Sequence, residues 1–144
     1  MATRISHVGL CVSDLEASLR FYVDGLGFEL QERIPSTDEV ADLAEVSPPV
    51  DMLAQFIVKD GTRLELLAWQ RPGVRGEASR YRNQIGLTHL AFQVDDLEET
   101  VARLVSLGGT VIEETRTTLV ETIQLVVVKD PDGTRVELVQ GMPA

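Results

Sequence analysis

The sequence repeats itself. Ile5-Ser-His-Val-Gly-Leu-Cys-Val-Ser-Asp-Leu-Glu16 lies over Leu87-Thr-His-Leu-Ala-Phe-Gln-Val-Asp-Asp-Leu-Glu98, with identical His, Val, Asp, Leu and Glu at an offset of 82, from His7 to His89. Further on, Val58-Lys-Asp-Gly-Thr-Arg-Leu-Glu-Leu66 lies over Val128-Lys-Asp-Pro-Asp-Gly-Thr-Arg-Val-Glu-Leu138, and the glutamates Glu65 and Glu137 stand 72 apart. Two blocks matching in the same order at similar spacing mark a duplicated unit, and a duplication restricts the fold more than any composition does.

Each copy reads the same way. A short strand opens it, with Val8, Leu10 and Val12 on one face and His7, Gly9 and Cys11 on the other; Leu90, Phe92 and Val94 alternate likewise with His89, Ala91 and Gln93. A helix follows. In the first copy Ser13 and Glu16 have capping-box spacing and Leu15, Leu19 and Tyr22 form an apolar stripe that stops at Gly25 and Gly27. In the second, Asp95 takes the capping place, Leu97, Val101 and Leu104 form the stripe, and Gly108-Gly109 ends it. Three strands complete each copy: 28–33, 53–59 and 63–69, then 110–114, 123–129 and 135–140, with turns at Asp60-Gly61 and Pro131-Asp-Gly133. The expected fold class is α+β: tandem βαβββ modules, 1–70 and 85–144, joined by a connector, 71–84, in one domain of residues 1–144 whose curved mixed sheet surrounds a metal cleft. Pro35 to Val50 is too long for a turn, suggests a short helix from Thr37, and has no counterpart in the second copy.

Alternation along the last strand of each copy puts Arg63, Glu65, Leu67 and Trp69 opposite Leu64, Leu66 and Ala68, and flanks Glu137 with Val136 and Leu138. The apolar side should meet the helix, so both glutamates and both histidines project from the opposite face. A lone histidine on a strand is most often just a hydrogen-bonded polar residue. Here the only two histidines in the chain hold the same repeat position. Two imidazoles and two carboxylates form a mixed N and O donor set suited to zinc, nickel, cobalt, iron or manganese, and spacing alone does not choose among them.

Bulk properties bound the function. A chain of 144 residues is one ordinary domain, able to bury roughly 68–70% of its unfolded surface. A net charge of −10 with two lysines argues against nucleic-acid binding. No apolar run reaches the ~20 residues of a membrane span. The lone Cys11 has no internal disulfide partner, and the first residues lack the apolar core of a secretion signal, so the expected compartment is the cytoplasm.

Over nearly its full length the chain resembles the vicinal oxygen chelate superfamily, which includes glyoxalase I, methylmalonyl-CoA epimerase, extradiol dioxygenases and bleomycin-resistance proteins. The markers are His7 with Val12-Ser-Asp-Leu-Glu16, Phe21-Tyr22, Leu26-Gly27-Phe28, Leu64-Glu65-Leu66, Thr88-His89, Asp130-Pro-Asp-Gly133 and Val136-Glu137-Leu138. The resemblance implies a metal-dependent isomerase or lyase closest to the glyoxalase I branch, with one divalent ion on His7, Glu65, His89 and Glu137. It makes Glu137 the better candidate for the catalytic base and Glu65 the second. It also implies a small-molecule substrate and a homodimer, without saying whether the ligands come from one chain or two.

Three other readings stay open. Methylmalonyl-CoA-type epimerases usually carry Gln where Glu65 stands, and no obvious acid takes the place of that family's second catalytic glutamate, although Glu45 and Asp51 lie nearby. Extradiol-type dioxygenases use only a His, His, Glu set. Non-catalytic antibiotic- or toxin-binding members generally lack the ligands, and in such a groove Trp69, Phe56 and Phe92 would form the lining. Arg71, Arg75, Arg80 and Arg82 crowd the connector, where they serve either as a solvated linker or as contacts for a CoA phosphate or a substrate carboxylate.

Overall fold

Strand β1 (Val8–Val12) is followed by helix α1 (Leu15–Leu19), which widens into a π turn over Arg20–Gly25, and then by β2 (Glu29–Ser36), a 3-10 turn at Asp38–Val40, β3 (Asp51–Lys59) and β4 (Thr62–Arg71). The second copy runs β5 (Leu90–Gln93), α2 (Leu97–Ser106), β6 (Thr110–Leu119), β7 (Ile123–Lys129) and β8 (Arg135–Gln140). This is the architecture of a computed structural model that describes residues 2–143. The chain divides between Gly76 and Glu77 into two units, each holding one copy of the repeat.

Each unit builds its own four-stranded mixed sheet, ordered β1-β4-β3-β2 and β5-β8-β7-β6. The first and last strands of each copy pair in parallel, so Gly9 sits beside Glu65 and Ala91 beside Glu137. The α+β fold of paired βαβββ modules expected from the repeat is the fold observed.

In unit 1, α1 packs against β4. Leu64 and Leu66 on β4, Ile57 on β3, and Phe21 and Tyr22 on the π turn are completely buried, each worth about 1.5–3 kcal/mol of transfer free energy. The π turn explains how two consecutive aromatics are both buried. Leu26 N donates to Phe21 O at 3.2 Å, a wider loop than an α-helix closes, and this brings sequence neighbours nearer to one face. In unit 2, α2 remains regular, packs on β6, β7 and β8 and buries Leu97, Val101 and Leu104.

Two expectations about helix starts are corrected. The cap of α1 is Asp14, not Ser13: its carboxylate accepts from Ala17 N at 3.0 Å. The cap of α2 is Asp96, not Asp95, accepting from Glu99 N at 2.9 Å. A short Asp side chain reaches back to the third following amide, and the repeat offset makes these two aspartates equivalent. Strands β2 and β6 also run past Arg33 and Glu114, because each carries a bulge and resumes pairing beyond it. Gln55 fills the first bulge, bonding to Gln31 O and accepting from Arg33 Nε. Thr115 fills the second, donating to Ile112 O and accepting from Val127 N.

Candidate metal centre

Register decides what lies beside what. Across β3 and β4 of unit 1, Phe56 pairs with Glu65, Ala54 with Leu67 and Met52 with Trp69. His7, immediately before β1, shares this face. His7 Nε2 lies 3.3 Å from Glu65 Oε2, its ring meets Phe56 edge-on at 5.2 Å, and Arg63 covers the same phenyl ring at 4.4 Å.

Unit 2 repeats the pair: His89 Nε2 lies 3.7 Å from Glu137 Oε2. The two carboxylates are about equally accessible, 19% exposed for Glu65 and 18% for Glu137, so each can reach a small ion from water. Among the described residues no group of three or more His, Cys, Asp or Glu side chains is placed to hold a metal. Each unit brings together one histidine and one glutamate of the four singled out from the sequence.

Both pairs share a support that the sequence reading missed. Ser6 Oγ is 2.8 Å from His7 Nδ1, and Thr88 Oγ1 is 2.7 Å from His89 Nδ1. Each hydroxyl is placed to hold its ring by a hydrogen bond at Nδ1. A ligating histidine is commonly anchored in this way at the ring nitrogen that does not bind the ion. The available signal was the hydroxyl residue directly before each histidine.

Arg82 is the second residue whose place the sequence left open. Its guanidinium donates to Glu137 Oε2 as well as lying against both ring nitrogens of His89. Of the connector arginines, Arg80 pairs with Glu77 at 2.9 Å and stays largely exposed.

A sheet whose face presents an imidazole beside a carboxylate, built twice by a duplicated βαβββ unit, defines the class: proteins made of repeated βαβββ modules. The sequence pattern of the Glyoxalase/Bleomycin resistance protein/Dioxygenase superfamily matches residues 4–138, and the chain belongs to that family. A lactoylglutathione lyase of Neisseria meningitidis serogroup A is 32% identical over 138 residues, covering 95% of this chain and 90% of that protein. A glyoxalase family protein from Bacillus cereus superposes with a TM-score of 0.84 at 20% identity, over 99% of this chain and 97% of that one. The fosfomycin resistance protein FosX of Listeria monocytogenes, solved with Mn(II) and sulfate, superposes with a TM-score of 0.63 at 20% identity, over 99% and 95% of the two chains. No helix among the described residues is long and apolar enough to cross a membrane.

Proposed function

We propose that the chain is a divalent-metal-dependent isomerase/lyase of the glyoxalase I type, moving a proton between neighbouring carbons of a small carbonyl or thioester substrate. The observation that carries this reading is the duplicated pair: His7 with Glu65 and His89 with Glu137, each imidazole anchored through Nδ1 by the preceding hydroxyl. Two imidazoles and two carboxylates form a donor set that fits zinc, nickel, cobalt, manganese or iron. These four residues would hold one ion, which when bound supplies Lewis-acid stabilisation of an enediolate.

The chain itself handles the proton. Glu137 accepts it from the acidic C–H and returns it to the adjacent carbon, and Glu65 stands in the equivalent place as the second candidate. Arg82 donates to Glu137 and lies against His89, so its guanidinium competes with a cation for these two side chains. Retention of Glu65 beside His7 separates this chain from members that need only three ligands. The relative named lactoylglutathione lyase supports the thiol hemithioacetal of methylglyoxal as the first substrate to try.

The proposal includes a homodimer, in which modules of two chains would pair. Ile5 and Leu87 hold the same repeat position and are 91% and 86% exposed, a matched apolar residue for each unit to cover. Sedimentation at working concentration is expected to show a dimer.

The activity test uses protein reconstituted separately with zinc, nickel, cobalt, manganese and ferrous iron, assayed on methylglyoxal hemithioacetals and acyl-CoA thioesters. Turnover of the hemithioacetal with at least one ion is expected. Glu137→Gln should lower kcat about 10²–10⁴-fold while much of the metal stays bound. Full activity in that variant removes Glu137 from the mechanism. Protein that loads metal yet turns over neither class of substrate contradicts the proposal.

A further inference from the structure

Unit 1 has a cavity of about 420 Å³ that lies beyond the His7–Glu65 pair, within the size range of small-molecule sites. Cys11, Glu45, Val46, Trp69, Val74 and Arg75 line it. The strands place it. Cys11 follows His7 by two pleats on the same face of β1, and Trp69 follows Glu65 by two on β4. At the usual strand rise, four residues separate the carboxylate of Glu65 from the indole by about 13 Å.

The far wall comes from the segment without a counterpart in unit 2. Val40 and Val46 pack with Leu67 and Trp69 against a buried cluster of Ala41, Val50 and Met52. Asp38 anchors the segment's return by accepting from Val50 N at 2.8 Å. Glu45 adopts φ 58, which turns the chain so that Val46 meets the wall. The segment is thus fixed over one end of the sheet face, and its contacts shape a site.

We propose that this cavity receives the non-reacting end of the substrate, and that it selects an apolar, preferably aromatic, body ending in a single carboxylate. The proposal rests on the His7–Glu65 pair being the reacting end. The indole of Trp69 with Val46 and Val74 supplies the apolar surface. Arg75 supplies a fork of donors that fits a carboxylate, and neither its side chain nor that of Glu45 has a hydrogen bond or ion pair among the described residues. Glu45 on the same rim, in a chain of net charge −10, opposes a polyanion. The site therefore takes one negative charge and rejects a phosphorylated tail, which sets it against substrates carried on CoA.

The chain supplies its own probes, because its only tryptophan and its only cysteine both line the cavity. Metal-stripped protein is titrated with phenylacetate, phenylacetamide and phenyl phosphate. Trp69 fluorescence is followed with excitation where tyrosine does not absorb, and alkylation of Cys11 by N-ethylmaleimide is timed in parallel. Phenylacetate is expected to give a saturable fluorescence change and to slow alkylation with the same half-saturation. Phenylacetamide and phenyl phosphate should bind about tenfold more weakly, the size of one charge-assisted hydrogen bond. Arg75→Ala should bring phenylacetate down to the amide's affinity, and Glu45→Gln should strengthen phenyl phosphate. No saturable change, an unaffected Arg75→Ala, or phenyl phosphate binding as well as phenylacetate overturns the proposal. Because no metal is present, a failure here leaves the metal reading standing. Loss of metal binding, with phenylacetate still bound, sinks that reading and spares the cavity.

Discussion

The two units carry one repeated sequence pattern and differ in what surrounds it. Ser18 and Thr100 are separated by the repeat offset and are both buried beneath their helices. Thr100 Oγ1 donates to Asp96 O at 2.8 Å, whereas Ser18 Oγ has no hydrogen-bond partner among the described residues. Phe56 flanks His7 in unit 1, while Arg82 lies on His89 in unit 2. Trp69 walls the cavity of unit 1; its counterpart at the 72-residue offset is Gly141, at φ 90 and tight against the Thr122 carbonyl. What stays equal is the pair itself, with His, Glu and the hydroxyl before the histidine. The comparison teaches that the His–Glu pair and its hydroxyl are kept while each unit shapes its own surroundings, unit 1 with aromatic walls and unit 2 with a guanidinium.

The sharpest way to break the comparison is to push unit 2 toward unit 1. Gly141→Ala should destabilise the chain by about 2 kcal/mol or more, since an added Cβ meets the Thr122 backbone at a φ that side chains avoid; thermal or denaturant unfolding reads it. An unchanged midpoint means the backbone there is free to move and the two positions were not fixed apart. Next come the shared hydroxyls. Ser6→Ala and Thr88→Ala should each weaken metal binding about tenfold, measured by chelator competition, and a large effect from one alone shows that the two pairs are not equivalent.

Smaller effects sharpen the difference. Arg82→Ala should tighten metal binding severalfold, because the ion no longer displaces a guanidinium from Glu137; the corresponding change next to His7, Phe56→Leu, should leave affinity within about twofold. Weaker metal binding in Arg82→Ala contradicts that competition. Smallest of all, Ser18→Ala should raise stability by about 0.5–1 kcal/mol while Thr100→Ala lowers it by a similar amount, because only the threonine hydroxyl is paired.

The repeat made most of the fold legible. Alternation along 63–69 and 135–140 placed Glu65 and Glu137 away from the helices because period 2 leaves no other choice once Leu64, Leu66, Val136 and Leu138 are buried. The helix caps were missed by one residue, although the repeat already pointed to the identical aspartates, Asp14 and Asp96. The π turn was not legible, since it answers the packing of Phe21 and Tyr22 together. The bulges of β2 and β6 depend on plugs from Gln55 and Thr115, and only the folded register shows those. Arg82 reaches Glu137 across 55 positions, a contact no local pattern announces. The cavity was hidden for a similar reason, because residues 11, 45, 69 and 75 meet only after the unpaired segment has folded back over the sheet.

The central claim is that the two pairs build one site. Calorimetric titration of the metal-stripped chain with zinc, repeated on His7→Ala and His89→Ala, tests it directly. The account predicts one tight ion per chain and loss of tight binding in either variant alone. Two independent ions per chain, or full affinity surviving either substitution, would contradict it.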